Sequence, residues 1–176
     1  MNAMVEPMTS FEWLGQQLRA KTAQYEISVR ATGERPPNWD DKLGVIAKMD
    51  DDLQKDLAYL LAYGDYRDGT AQYKSIESFL FKSIYAVAEQ EKKRKPDLAE
   101  ICKKIARMEL YFFLHNHLND KFTGAGRLWF SGIDIKLDTY TKNWKHYGDA
   151  VNLMLLEAQI AAIKHIENYK KELDRC

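Results

Sequence analysis

The stretch Ala71–Glu91, AQYKSIESFLFKSIYAVAEQE, places Tyr73, Ile76, Phe79, Leu80, Ile84 and Val87 three and four residues apart. Only a helix brings such positions to one face, since its turn is 3.6 residues long. Lys92-Lys93-Arg94-Lys95-Pro96 then stops it, because proline has no amide hydrogen and disfavours helical geometry in the residue before it. The same spacing recurs on both sides. Downstream, Asp97 is placed to cap a helix carrying Leu98, Ile101, Cys102, Ile105, Met108 and Phe112, with Leu118 at its far end. Upstream, Leu53, Leu57, Leu60 and Leu61 make another, closed by the turn-forming Gly64–Gly69.

Towards the N-terminus, Thr9 and Glu12 have the spacing of a capping box. They open a helix over 10–31 with Phe11, Leu14, Leu18, Tyr25 and Val29 on one stripe. Gly33 to Pro37 ends it, and Asn38 caps a short helix with Trp39, Leu43 and Ile46. Residues 1–8 are expected to be disordered. Towards the C-terminus, Asn119–Gly126 is a break, and Arg127–Ile133 (RLWFSGI) is open between a short helix and a strand. Leu137, Tyr140, Trp144 and Tyr147 space one more helix, with Gly148 as an interruption. The alanine-rich run 151–173 is a long final helix. The expected fold is all-α: a single compact domain, 1–176, of six or seven helices.

Composition narrows the function classes. The 176 residues are 45% hydrophobic, with four prolines and nine glycines, which excludes wholesale disorder and disfavours a turn-rich β-fold. Two cysteines, Cys102 and Cys176, cannot build a disulfide scaffold and fit a reducing, cytoplasmic setting. No run is apolar enough to span a membrane, and MNAMVEPMTS lacks the basic start and apolar core of a signal peptide. Lys+Arg and Asp+Glu number 26 each, yet the charges are segregated. Residues 34–68 hold nine acids against five bases, and residues 92–147 hold twelve bases against six acids. The acidic 34–68 segment could face a basic protein partner and the basic half nucleic acid; both could equally be solvated helix faces.

The candidate nucleic-acid contacts follow from that basic half. Lys92, Lys93, Arg94 and Lys95 form a loop of four cations suited to phosphates, or an ordinary solubilising linker. From 121 to 147 bases alternate with aromatics, among them Arg127. On a helix Lys136, Thr139, Asn143 and His146 share one stripe, next to the apolar one. Asn143 suits an adenine edge, and Lys142 and Lys145 suit phosphates. The alternative is an amphipathic helix with a solvated lysine face.

Other chemistry finds no pattern. His115 and His117 point to different sides of a helix, with no further clustered ligand, so no metal is expected. Asp50-Asp51-Asp52 lacks the glycine and glutamate of a calcium loop and better suits a helix N-terminus. Gly124-Ala125-Gly126-Arg127 is too short for a phosphate loop. No enzyme and no cofactor is expected. The final helix carries Leu155, Ala158, Ala161, Ala162, Ile166 and Tyr169, a surface on which a second copy could pack.

Gly132-Ile133, Thr139-Tyr140, Trp144, Tyr147, Glu157-Ala158 and His165-Ile166 together resemble the ends of bacteriophage late-gene antitermination proteins and related small prophage regulators. In that family a Gly-Ile turn precedes a Thr-Tyr pair opening a recognition helix. The resemblance implies a helix-turn-helix-like segment over 119–148. It implies a DNA-contacting role for Lys136, Thr139, Lys142, Asn143 and Lys145, and antitermination-like control of transcription. The alternative is a helical protein-binding module, such as a phage accessory or anti-defence factor.

Overall fold

The computed structural model describes residues 8–19, 44–91 and 97–173. The described chain is all-α. Its helices are α1 (Ser10–Arg19), α2 (Asp52–Tyr63), α3 (Ala71–Glu91), α4 (Leu98–Leu114), α5 (Gly124–Phe130), α6 (Leu137–Asn143) and α7 (Lys145–Leu173), with a 3-10 helix at Asn116–Lys121. Two compact units result: residues 1–65 with 159–176, and residues 66–158. The Lys92–Lys95 loop, and the elements expected between residues 20 and 43, lie outside the described residues.

In the first unit the capping box forms as spelled. The Thr9 amide donates to Glu12 Oε2 at 2.8 Å and the Glu12 amide to Thr9 Oγ1 at 3.2 Å. These bonds, the backbone one foremost, hold the Glu12 carboxyl below its ordinary pKa. Helix α2 starts at Asp51, whose Oδ1 accepts from the Gln54 amide at 2.8 Å. It ends at Gly64, where φ is 68° and the amide donates to Leu60 O. The acidic triplet is therefore helix-start chemistry.

Phe11, Leu14 and Leu18 of α1 meet Val45, Ile46 and Met49, Ala58 and Ala62 of α2, and Ala162 and Ile166 of α7. The closest approach is at Gly15, where a Cβ would stand 2.0 Å from the Ala62 carbonyl oxygen. That oxygen also accepts from the Arg19 guanidinium at 2.9 Å. Gly15→Ala must push backbone from backbone, so we expect a loss of about 1–3 kcal/mol or more. Urea unfolding measures it.

In the second unit α3 packs along α4. Helix α3 has the expected bounds, but its buried stripe is Tyr73, Ile76, Leu80, Ile84 and Ala88. Phe79 and Val87, expected in the core, are about half exposed. The helices that pack on α3 do not cover the whole apolar stripe, so these two side chains stay partly in solvent. Burial, then the charge of Glu77, pushes the Tyr73 hydroxyl up to about 12 from 10.0. The folded state thus holds a proton that the unfolded chain releases near pH 10. Stability from this group is complete below pH 10 and is lost as pH rises towards 12. Tyr73→Phe should flatten that alkaline slope by up to about 1.4 kcal/mol per pH unit, measured by unfolding at pH 9 to 12.

Helix α7 brings a second correction. Leu155, Ala158, Ala162 and Ile166, expected to receive a second copy, are buried by their own chain. The large apolar side chains that α7 exposes are Leu153, Leu156 and Ile160. No described helix is long and apolar enough to cross a membrane.

Candidate functional site

The second unit contains a polar cluster and an apolar groove, both of which include residues of α5. The cluster begins with Glu109 on α4, which is only 6% exposed. Its Oε2 accepts from Asn152 Nδ2 of α7 at 2.7 Å and stands 4.0 Å from the Arg127 guanidinium of α5. Arg127 lies 4.0 Å over the Phe112 ring and donates to Asn119 Oδ1 at 3.2 Å. Phe112, Phe122 and Phe130 meet edge to face around it, at centroid distances of 5.3 to 6.0 Å. Arg127, expected at a nucleic-acid surface, is therefore turned inward.

The Tyr140 hydroxyl faces the same carboxylate. Burial first, and the Glu109 charge second, hold it protonated well above the ordinary tyrosine range. Gly148 does not interrupt a helix, as expected from the sequence, but sits inside α7. A Cβ there would stand 2.8 Å from Glu109 Oε1 and 3.0 Å from the Tyr140 hydroxyl. The break falls instead at Trp144, with φ −132° and ψ −23°. Tyr140, Trp144 and Tyr147 are all buried, as their spacing predicts.

The groove forms because RLWFSGI resolves into a helix with a tight stop. Thr123 Oγ1 accepts from the Gly126 amide and opens α5. At the other end Gly132 takes φ 66°. Its amide donates to Trp129 O, and that of Ile133 to Leu128 O, at 3.0 and 2.9 Å. This is the Schellman arrangement, which also sets Ile133 against Leu128. It turns the chain back so that Ile133–Leu137 lies opposite α5. The cleft between them is about 520 Å³, with Leu128 and Ile133 as its buried floor. Trp129 stands on its rim, 82% exposed, and Leu137, which the sequence placed in the core stripe, is 42% exposed.

The basic positions fall around this groove unequally. Lys136, Thr139, Lys142, Asn143 and Lys145 are all exposed. They do not form one recognition helix, because Lys136 precedes α6, Lys145 begins α7, and α6 has seven residues. Asn143 Nδ2 donates to Thr139 O at 3.2 Å, and Lys145 pairs with Asp149 at 3.3 Å. Asp134 and Asp138 interrupt the positive charge. His115 stacks on Tyr111 at 4.3 Å and its Nδ1 bonds the Tyr111 carbonyl, with the His117 ring 6.1 Å away. Among the described residues no group of three or more His, Cys, Asp or Glu is placed to hold a metal ion. Sequence reasoning missed the groove: it saw Trp129 as one aromatic among several, although the Ser-Gly pair at 131–132 is the signal of a helix stop.

No protein family, no characterised protein and no solved structure matches this chain.

Proposed function

We propose that this protein is a non-enzymatic helical docking module that binds a protein through the groove between α5 and residues 133–137. The carrying observation is Trp129, 82% exposed on the rim of a cleft with an apolar floor. Exposing a tryptophan forgoes several kcal/mol of burial, and tryptophan is enriched among the residues that dominate protein interfaces. The mixed charges at the rim, Asp134 and Lys136, also suit a protein better than a polyanion.

The test places a photo-crosslinking phenylalanine at position 129 of the full chain, and at exposed Lys74 of α3 as control. Protein adducts from 129 alone, little changed by salt, are expected. Crosslinked nucleic acid, or equal yields from both positions, overturns the reading.

The nucleic-acid reading, of the antitermination type, is favoured by the exposure of Lys136, Thr139 and Lys142. It requires retention of duplex DNA that weakens by about 0.9 log units per log unit of salt for each phosphate contacted.

A further inference from the structure

We propose that a second pocket, between α3, α4 and the C-terminal end of α5, binds a small aromatic carboxylate: one ring bearing one anionic group. This pocket shares no lining residue with the groove. Its volume is about 170 Å³. A cavity of about 150 Å³ admits benzene, so one ring with a small substituent fills it. Met108 and Tyr73, 4% and 1% exposed, are its buried lining. Tyr111 and Phe130 give it an aromatic wall, with their ring centroids 5.1 Å apart. His115 backs Tyr111, and Phe112 and Phe122 back Phe130, so the wall is set before a ligand arrives.

The polar side chains that line the pocket all have a hydrogen to donate: Tyr73, Lys104, Arg107, Tyr111 and Ser131. Asp68, Glu77 and Glu100 lie outside the lining. A ligand must therefore be rich in acceptors, and a carboxylate only accepts. Lys104 and Arg107 stand three apart on α4, which puts both cations on one side of it. Their present partners compete weakly. Arg107 pairs with Asp68 at 2.5 Å and Lys104 with Glu100 at 2.7 Å, but both carboxylates are 64% exposed. Such exposed pairs add little and exchange readily, and the guanidinium fork has donors to spare for a second carboxylate. Tyr73 points to the same ligand. Its ring is sealed in the core, yet it lines the pocket, and among the described residues no group bonds its hydroxyl. Buried polar groups ordinarily find a partner, and a carboxylate in the pocket supplies one. The Arg107 charge reaches that hydroxyl, so both groups meet one anion. Burial keeps the phenol protonated up to about 12, so it donates at neutral pH.

Amide NMR of the full chain, titrated with benzoate up to about 10 mM, tests this. Saturable shifts are expected at residues 104–111 and 130–131. Inorganic phosphate has the charge without the ring, and benzyl alcohol the ring without the charge. Each should bind about tenfold more weakly than benzoate. Arg107→Gln and Lys104→Gln should each weaken benzoate by about tenfold, and Tyr73→Phe by about fivefold. Lys142→Gln, at an exposed position on α6, should leave it unchanged. The Lys104 and Arg107 side chains reach solvent, so their variants keep the core, which circular dichroism checks. Absence of saturable shifts overturns the proposal. So does phosphate binding as tightly as benzoate, which makes the pocket a bare anion site. Benzoate binding indifferent to both Arg107→Gln and Lys104→Gln also overturns it, since the ligand then sits elsewhere. None of these outcomes touches the docking reading, which the crosslinks at position 129 decide.

Discussion

Trp144→Ala is expected to cost about 3–5 kcal/mol, the range for deleting a large buried aromatic. The side chain is 1% exposed and packs at 6.0 Å from the Tyr147 ring. It also occupies the residue where α6 stops and α7 starts. Its amide donates to Tyr140 O, and its own carbonyl accepts from the Tyr147 amide. The indole is thus buried at the junction of the two helices, and deleting it leaves a void there. Trp144→Phe, which keeps a ring there, should cost less. Lys142→Ala, two residues away and exposed, should stay within about 0.5 kcal/mol. Urea unfolding followed by circular dichroism measures all three. A loss below about 1 kcal/mol for Trp144→Ala would mean that the junction collapses easily.

Glu109→Ala should be comparably severe, at about 3–5 kcal/mol, but for a different reason. Its carboxylate is the shared partner of Asn152 and Arg127 and faces the Tyr140 hydroxyl. Removing it leaves a half-buried amide without its acceptor and a largely covered guanidinium without its counter-charge. Glu109→Gln keeps an oxygen for Asn152 and should recover part of the loss. The loss in Glu109→Gln measures the charge, and the further loss in Glu109→Ala measures the shape and the retained hydrogen bond. Equal losses would show that the charge alone is at stake. Gly148 belongs to the same arrangement, since a Cβ there would displace that carboxylate.

The groove reading and this buried cluster are connected through α5. Arg127 faces inward to Phe112 and Glu109, while Trp129, two residues on, faces outward. Positions two apart on a helix lie on different faces, so fixing one aims the other. Loss of Glu109 should therefore also loosen α5, visible as faster amide hydrogen exchange over Gly124–Phe130 before global unfolding.

Some features of the protein were determined by local sequence alone. The all-α class follows from apolar residues spaced at three and four. The Thr9–Glu12 box and the Asp51 and Gly64 caps are contacts within one turn, so their residues state them directly. The burial of Tyr140, Trp144 and Tyr147 follows from the same periodicity. Tertiary structure decided what periodicity cannot express. Spacing shows which side chains share a face, but not how wide an arc a neighbour covers, so Phe79 and Val87 were placed in a core that does not reach them. It does not show which of two possible partners, its own chain or another copy, buries a stripe, and the alanine face of α7 is closed by its own chain. Nor could a glycine inside a helix be told from a glycine that ends one. Gly148 is set by a carboxylate 39 positions away in sequence, whereas Gly132 is set by the hydrogen bonds of its own turn. Arg127 was turned inward, and Trp129 outward, by Phe112 and Glu109, which lie on another helix and whose pull no local pattern records.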